Sequence, residues 1–134
     1  MRYELVDHTA DVMVRCTGGT LEECFGNAAY ALIDQMVDAS LVEEKVTVRI
    51  EAEGGDWEER LYSFLSEVLF VQDSEGMVFR VFDVSFEGDR VVCEARGEPL
   101  DRTKHRAKTE IKAITYHMLS VHPEVPGLTV IFDA

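Results

Sequence analysis

Basic residues are scarce in this chain. Thirteen Lys and Arg stand against 26 Asp and Glu, for a formal net charge of −13. That balance favours solubility and argues against strong nucleic-acid binding through a general basic footprint. Cysteine is scarce as well. Cys16, Cys24 and Cys93 are odd in number, far apart and without a CxxC pair. This excludes a zinc knuckle and a thioredoxin motif, and on apolar faces the three read as small core residues. No apolar run reaches the roughly 18 residues of a membrane span, and no signal-peptide pattern opens the chain. A soluble, cytoplasmic protein without a membrane partner is expected. The P-loop, GxGxxG, nucleophile-elbow and HExxH motifs are all missing. With no complete catalytic kit, the chain is not expected to be an enzyme.

What is present suits one compact domain over residues 1–134. At 46% hydrophobic the chain can bury a sizeable core. Alternation over 2–7, with Tyr3 and Leu5 on one face, predicts a strand, as do Val12, Val14 and Cys16 over 11–16. Gly18-Gly19 breaks the second strand, and Thr20 opens a capping box with Glu23. Leu21, Cys24, Phe25, Ala28, Leu32, Ile33 and Met36 then recur at helical spacing. Val46, Val48, Ile50 and Ala52 make another strand. Gly54-Gly55-Asp56 opens a second helix striped by Trp57, Leu61, Phe64, Leu65 and Val68. Residues 77–86 and 90–96 read as a hairpin turned at Glu87-Gly88-Asp89. Segment 110–121 has mixed signals, and Ile114, Thr115 and Tyr116 favour a strand. His122 to Gly127 is a loop, and 128–133 the last strand. The expected class is α+β: a mostly antiparallel or mixed β-sheet with two main amphipathic helices, in the order ββα β α ββββ.

Two constellations carry chemistry. Asp7, His8 and Asp11 crowd a strand–strand turn. Such residues serve as turn formers by bonding nearby amides, or as a metal or acid/base site. Asp133 ends the last apolar run. If that strand pairs beside the first hairpin, Asp11, Asp133 and the main chain of Ala134 converge. An all-oxygen set favours a hard cation, calcium, magnesium or manganese, over zinc. The second constellation is DRTKHRAKTEIK, residues 101–112. Five of the thirteen basic residues lie between Arg102 and Lys112, with His105 among them. This inversion of charge reads as a solvated edge or as a patch facing a partner or phosphate. Two further readings stay open: a metal-dependent hydrolase using Asp11 and Asp133, and local RNA contact by 102–112.

DHTADV near the start, the TLEE helix with Ala28-Ala29, GEPLDRTKH, EIKAITYH and VIFD together resemble the archease family. The ordered set runs from Tyr3 to Asp133. The resemblance implies a small α+β protein that activates the GTP-dependent, RtcB-type RNA ligase of tRNA splicing, promoting its guanylylation and turnover. Chaperone-like modulation of a tRNA methyltransferase is the family's other described role. It further implies one divalent cation, calcium foremost, held by Asp11, Asp133 and Ala134. His8, Lys104, His105 and Arg106 are then weaker candidates for contact with the partner. The chain departs from the family pattern at Met13, at Gly127-Leu128 and at Ala134. None of these removes a metal-site carboxylate.

Overall fold

The computed structural model describes residues 2–6 and 11–134. Asp7, His8, Thr9 and Ala10, where the sequence predicts a turn, lie outside the described residues. Seven strands and two long helices follow the expected order: β1 (Glu4–Val6), β2 (Val12–Thr17), α1 (Leu21–Met36), β3 (Val46–Glu53), α2 (Trp57–Glu75), β4 (Met77–Glu87), β5 (Arg90–Pro99), β6 (Ala113–His122) and β7 (Gly127–Asp133). A single 3-10 turn, Ala39–Leu41, adds to that order after α1. None of the described helices is long and apolar enough to cross a membrane.

The helix starts follow from their caps. Thr20 accepts the Glu23 amide at 3.1 Å, and the Glu23 carboxylate takes the Gly19 amide at 3.0 Å. Two otherwise orphaned donors are satisfied at once. Asp56 does the same for α2, accepting the Glu59 amide at 2.7 Å. Gly76 ends α2 in the left-handed region, φ 61°, which glycine occupies without a Cβ clash. The helix therefore outruns the apolar stripe, which had reached only Val68.

The strands form two antiparallel sheets, β1-β2-β7-β6 and β3-β5-β4. Each helix packs on both sheets, α1 on β4, β2 and β7, and α2 on β3 and β6. The core is thus the filling between two sheets. Phe25, Phe64, Phe79 and Phe132 are fully buried there. Phe25 anchors an aromatic cluster, 5.0 Å from Phe86 and 6.1 Å from Phe64 by ring centroid. Cys16, Cys24 and Cys93 are buried free thiols, pushed upward in pKa by that burial.

Candidate functional site

β7 is what connects the two ends of the chain. It lies between β2 and β6, with Val12 opposite Phe132 and Met13 opposite Ile131. Asp11 directly precedes Val12 and Asp133 directly follows Phe132, so both flank the last paired rung of this ladder. On the other side Asp133 faces Ala113, and the Lys112 amide donates to the Asp133 carbonyl at 2.7 Å. Strand side chains alternate between faces. Val12, Val14, Val130 and Phe132 point into the main core. Asp133, inside β7, therefore shares the other face with Ile131 and its partner Met13, and Asp11 lies just beyond the start of β2. Directly opposed residues hold their Cβ atoms roughly 4.5–5.5 Å apart.

Both carboxylates are partly exposed, as is Ala134. Among the described residues neither Asp11 nor Asp133 joins an ion pair, and no third His, Cys, Asp or Glu completes a cluster around them. Like charges set side by side repel, which a cation between them would relieve. Thr115 stands opposite Ile131, one row further in. Its Oγ1 is buried and lacks a hydrogen-bond partner. Carboxylates and a main-chain oxygen are hard donors, of the kind that suits calcium, magnesium or manganese. His8, being among residues 7–10, lies outside the described structure.

The basic segment folds inward more than its charge suggests. Asp101 begins a tight turn: its carboxylate accepts the Thr103 amide and hydroxyl, and its carbonyl the amides of Lys104 and His105. The Asp101 amide donates back to His105 Nδ1 at 2.9 Å. That leaves the ring proton on Nε2, which donates to Glu98 Oε2 at 2.8 Å. His105 has no exposed side-chain surface, so it faces Glu98 and presents nothing to a partner. Lys104 Nζ reaches Glu98 at 2.8 Å and Glu43 at 3.1 Å, with about a third of its side chain exposed. Arg102 and Arg106 are the cations this turn leaves in solvent.

Sequence reasoning missed Glu98, the anion at the centre of this network. It sits near the end of β5, which outruns the expected strand by three residues, from Arg96 to Pro99. Burial opposes its ionisation. Hydrogen bonds from Lys104, the Glu43 amide and His105 outweigh that and hold its carboxyl at about 2, against an ordinary 4.5. A depressed carboxyl stabilises the fold fully above its unfolded value, and the contribution is lost as pH falls from 4.5 towards 2. Glu98→Gln should remove that dependence. Urea titrations of both proteins across this range should show their stabilities converging as pH falls. A constant gap would mean that folding does not depress the Glu98 carboxyl.

The family model described as the Archease protein family (MTH1598/TM1083) matches residues 3–134. The chain belongs to the archease family. The archease of Pyrococcus abyssi is 45% identical over 124 residues, covering 90% of this chain and 87% of the relative. That of Methanopyrus kandleri is 42% identical over 128 residues, with 92% and 91% covered. The solution structure of protein 1598 of Methanobacterium thermoautotrophicum superposes with a TM-score of 0.85 at 34% identity, covering 99% of each chain. The archease of Thermotoga maritima, described as a possible chaperone, shares the fold at 20% identity, with a TM-score of 0.64 and 96% and 94% covered.

Proposed function

We propose that Asp11 and Asp133, with the main chain of Ala134, hold one divalent cation, calcium foremost. The metal-tipped surface then docks on an RtcB-type RNA ligase and shifts it towards a state competent for nucleotide transfer. In this role the chain is a protein cofactor of tRNA splicing rather than an enzyme, and it promotes guanylylation and turnover of the ligase. The observation that supports the reading is the β2–β7 register, which pairs Val12, next to Asp11, with Phe132, next to Asp133. When bound, the cation offsets their charge and orders the chain end.

The test is a time course of ligase guanylylation with GTP, using the ligase from the same source, with and without this protein. Faster guanylylation that a chelator abolishes supports the reading. Release of phosphate or cleavage of RNA by the protein alone would replace it with a metal-dependent hydrolase. Stimulation of a tRNA methyltransferase without effect on the ligase would change the partner.

Arg106 is exposed and free of the Glu98 network, so it can meet acidic groups of the ligase or a nucleotide. Arg106→Glu should weaken stimulation several-fold while leaving the melting temperature within about a degree or two, since surface changes of this kind alter stability little. Full stimulation by the variant would remove this segment from the interface.

A further inference from the structure

α2 and β6 enclose a second surface feature. A groove of about 430 Å³ runs between them, lined by Tyr62, Ser66, Phe70 and Asp73 from α2 and by Lys112 and Ile114 from the β6 side. Its walls are mainly apolar. Tyr62 continues it along β6, because its ring stacks on Tyr116 with centroids 4.3 Å apart and planes 18° from parallel. Phe70 is 62% exposed, Tyr116 53%. Two exposed aromatic rings on one groove are unusual for a solvated face, and such patches mark interaction sites. Beyond Tyr116 the strand leaves its register with β7, between Thr115 and Ser120. Met118 there takes a φ of 56°, uncommon for a non-glycine residue and a form of strain that clusters at functional sites.

Charge frames the groove. Partial burial of its hydroxyl, with Glu59, Tyr62 and Asp56 nearby, pushes Tyr116 upward. At the other end burial and the neighbouring Glu110 raise Asp73. Among the described residues Asp73 and Glu110 make no ion pair. Among the described residues Lys112 is the one cation lining the groove. Arg60, the only base in α2, is turned away, its guanidinium over Trp57 and bonded to the Gly54 carbonyl. Aromatic faces beside carboxylates suit arginine, which stacks on rings and pairs with anions. The same carboxylates repel a nucleic-acid backbone.

We propose that the α2–β6 groove docks a segment of a partner protein that combines arginine with an aliphatic anchor, the anchor seated by Phe70 and Ile114 and the arginine beside Tyr116 and Glu59. Ala113 both lines this groove and stands opposite Asp133, so the segment arrives next to the carboxylate pair. The docking does not require a cation there.

The test uses the full chain, nitrogen-15 labelled and metal-free, titrated with short synthetic peptides. One peptide alternates arginine and leucine, one alternates glutamate and leucine, and one is arginine alone. Single-stranded oligouridine is the fourth probe. The arginine–leucine peptide should bind saturably and shift amides in 62–73 and 112–116. Phe70→Ser should weaken it at least about tenfold, with unchanged melting, while Phe70→Tyr retains binding. Glu59→Lys with Asp73→Lys should weaken it and flatten its salt dependence. Equal binding of the glutamate–leucine or arginine-only peptide would overturn the proposal. So would oligouridine binding at these amides, self-association of the chain through this face, or no saturable binding.

Discussion

Alanine in place of either Asp11 or Asp133 is expected to abolish tight calcium binding and most stimulation of the ligase. Two carboxylates acting on one ion would each be a primary ligand. Loss of groups that merely orient ligands typically costs about 10–100-fold in metal affinity, and removing a ligand itself should exceed that. Replacing both should cost little beyond replacing one, because residues that act as a unit are not additive. The wild type should melt higher as calcium rises, since a ligand bound only by the folded state stabilises it by mass action. Neither variant should show that rise. Without metal each variant should be as stable as the wild type or slightly more so, because a crowded like-charge neighbour has gone. Both residues are partly exposed and outside the buried core cluster, so their loss leaves no cavity among the buried phenylalanines. Calorimetric titration with calcium, magnesium and manganese, melts with and without chelator, and guanylylation of the ligase measure these outcomes. Wild-type affinity in either single variant would exclude a shared site. Lost metal with full stimulation would separate metal from function.

The second large effect is expected at Gly97, where alanine should cost more than about 3 kcal/mol, the upper end of ordinary overpacking. β4 and β5 lose register between Phe79 and Val81, leaving Arg80 as the extra residue of a bulge. The bulge brings the β4 backbone close to Gly97, as glycines in strands often permit. A Cβ on Gly97 would overlap the Val78 carbonyl oxygen and lie 2.8 Å from Phe79 Cα. Both are backbone atoms, so no side chain can turn aside to make room. The Gly97 carbonyl also accepts the Lys45 amide at 2.9 Å, which ties the start of β3 to the same spot. Relief would have to separate β4 from β5 and disturb Glu98, the next residue, with its Lys104 and His105 partners. A guanidinium unfolding titration should show the midpoint falling sharply with an unchanged slope. Gly88→Ala is the contrast: its Cβ meets nothing within 4 Å, although φ is 63°. That change should cost only the strain of a left-handed residue, about 1 kcal/mol. Similar losses at the two glycines would mean that close approach at Gly97 is not the cause.

Element order was legible in the sequence because it rests on local signals: period-two alternation, helical stripes, and caps at Thr20 and Asp56. These depend on a few consecutive residues, and the folded chain uses them where they occur. Asp11 and Asp133 could be named as candidates for the same reason, one sitting at the turn before an apolar run and the other ending one. The resemblance of ordered motifs then tied them to one family, and residues 3–134 belong to it. Pairing between distant strands is another matter. Seven strands can be divided in many ways, and only packing of both helices on two sheets seats the last strand between β2 and β6. That placement is what brings the strand ending in Asp133 alongside the strand that Asp11 precedes. The same limit explains the basic segment. Its charge was readable, but the buried anion that turns Lys104 and His105 inward is Glu98, brought there by the end of β5. A histidine in a charged run looks solvated until a carboxylate from another element is buried against it. Composition and periodicity determine which residues seek the interior and which elements form. Only tertiary packing decides which charges meet, because electrostatic partners are chosen by distance in space.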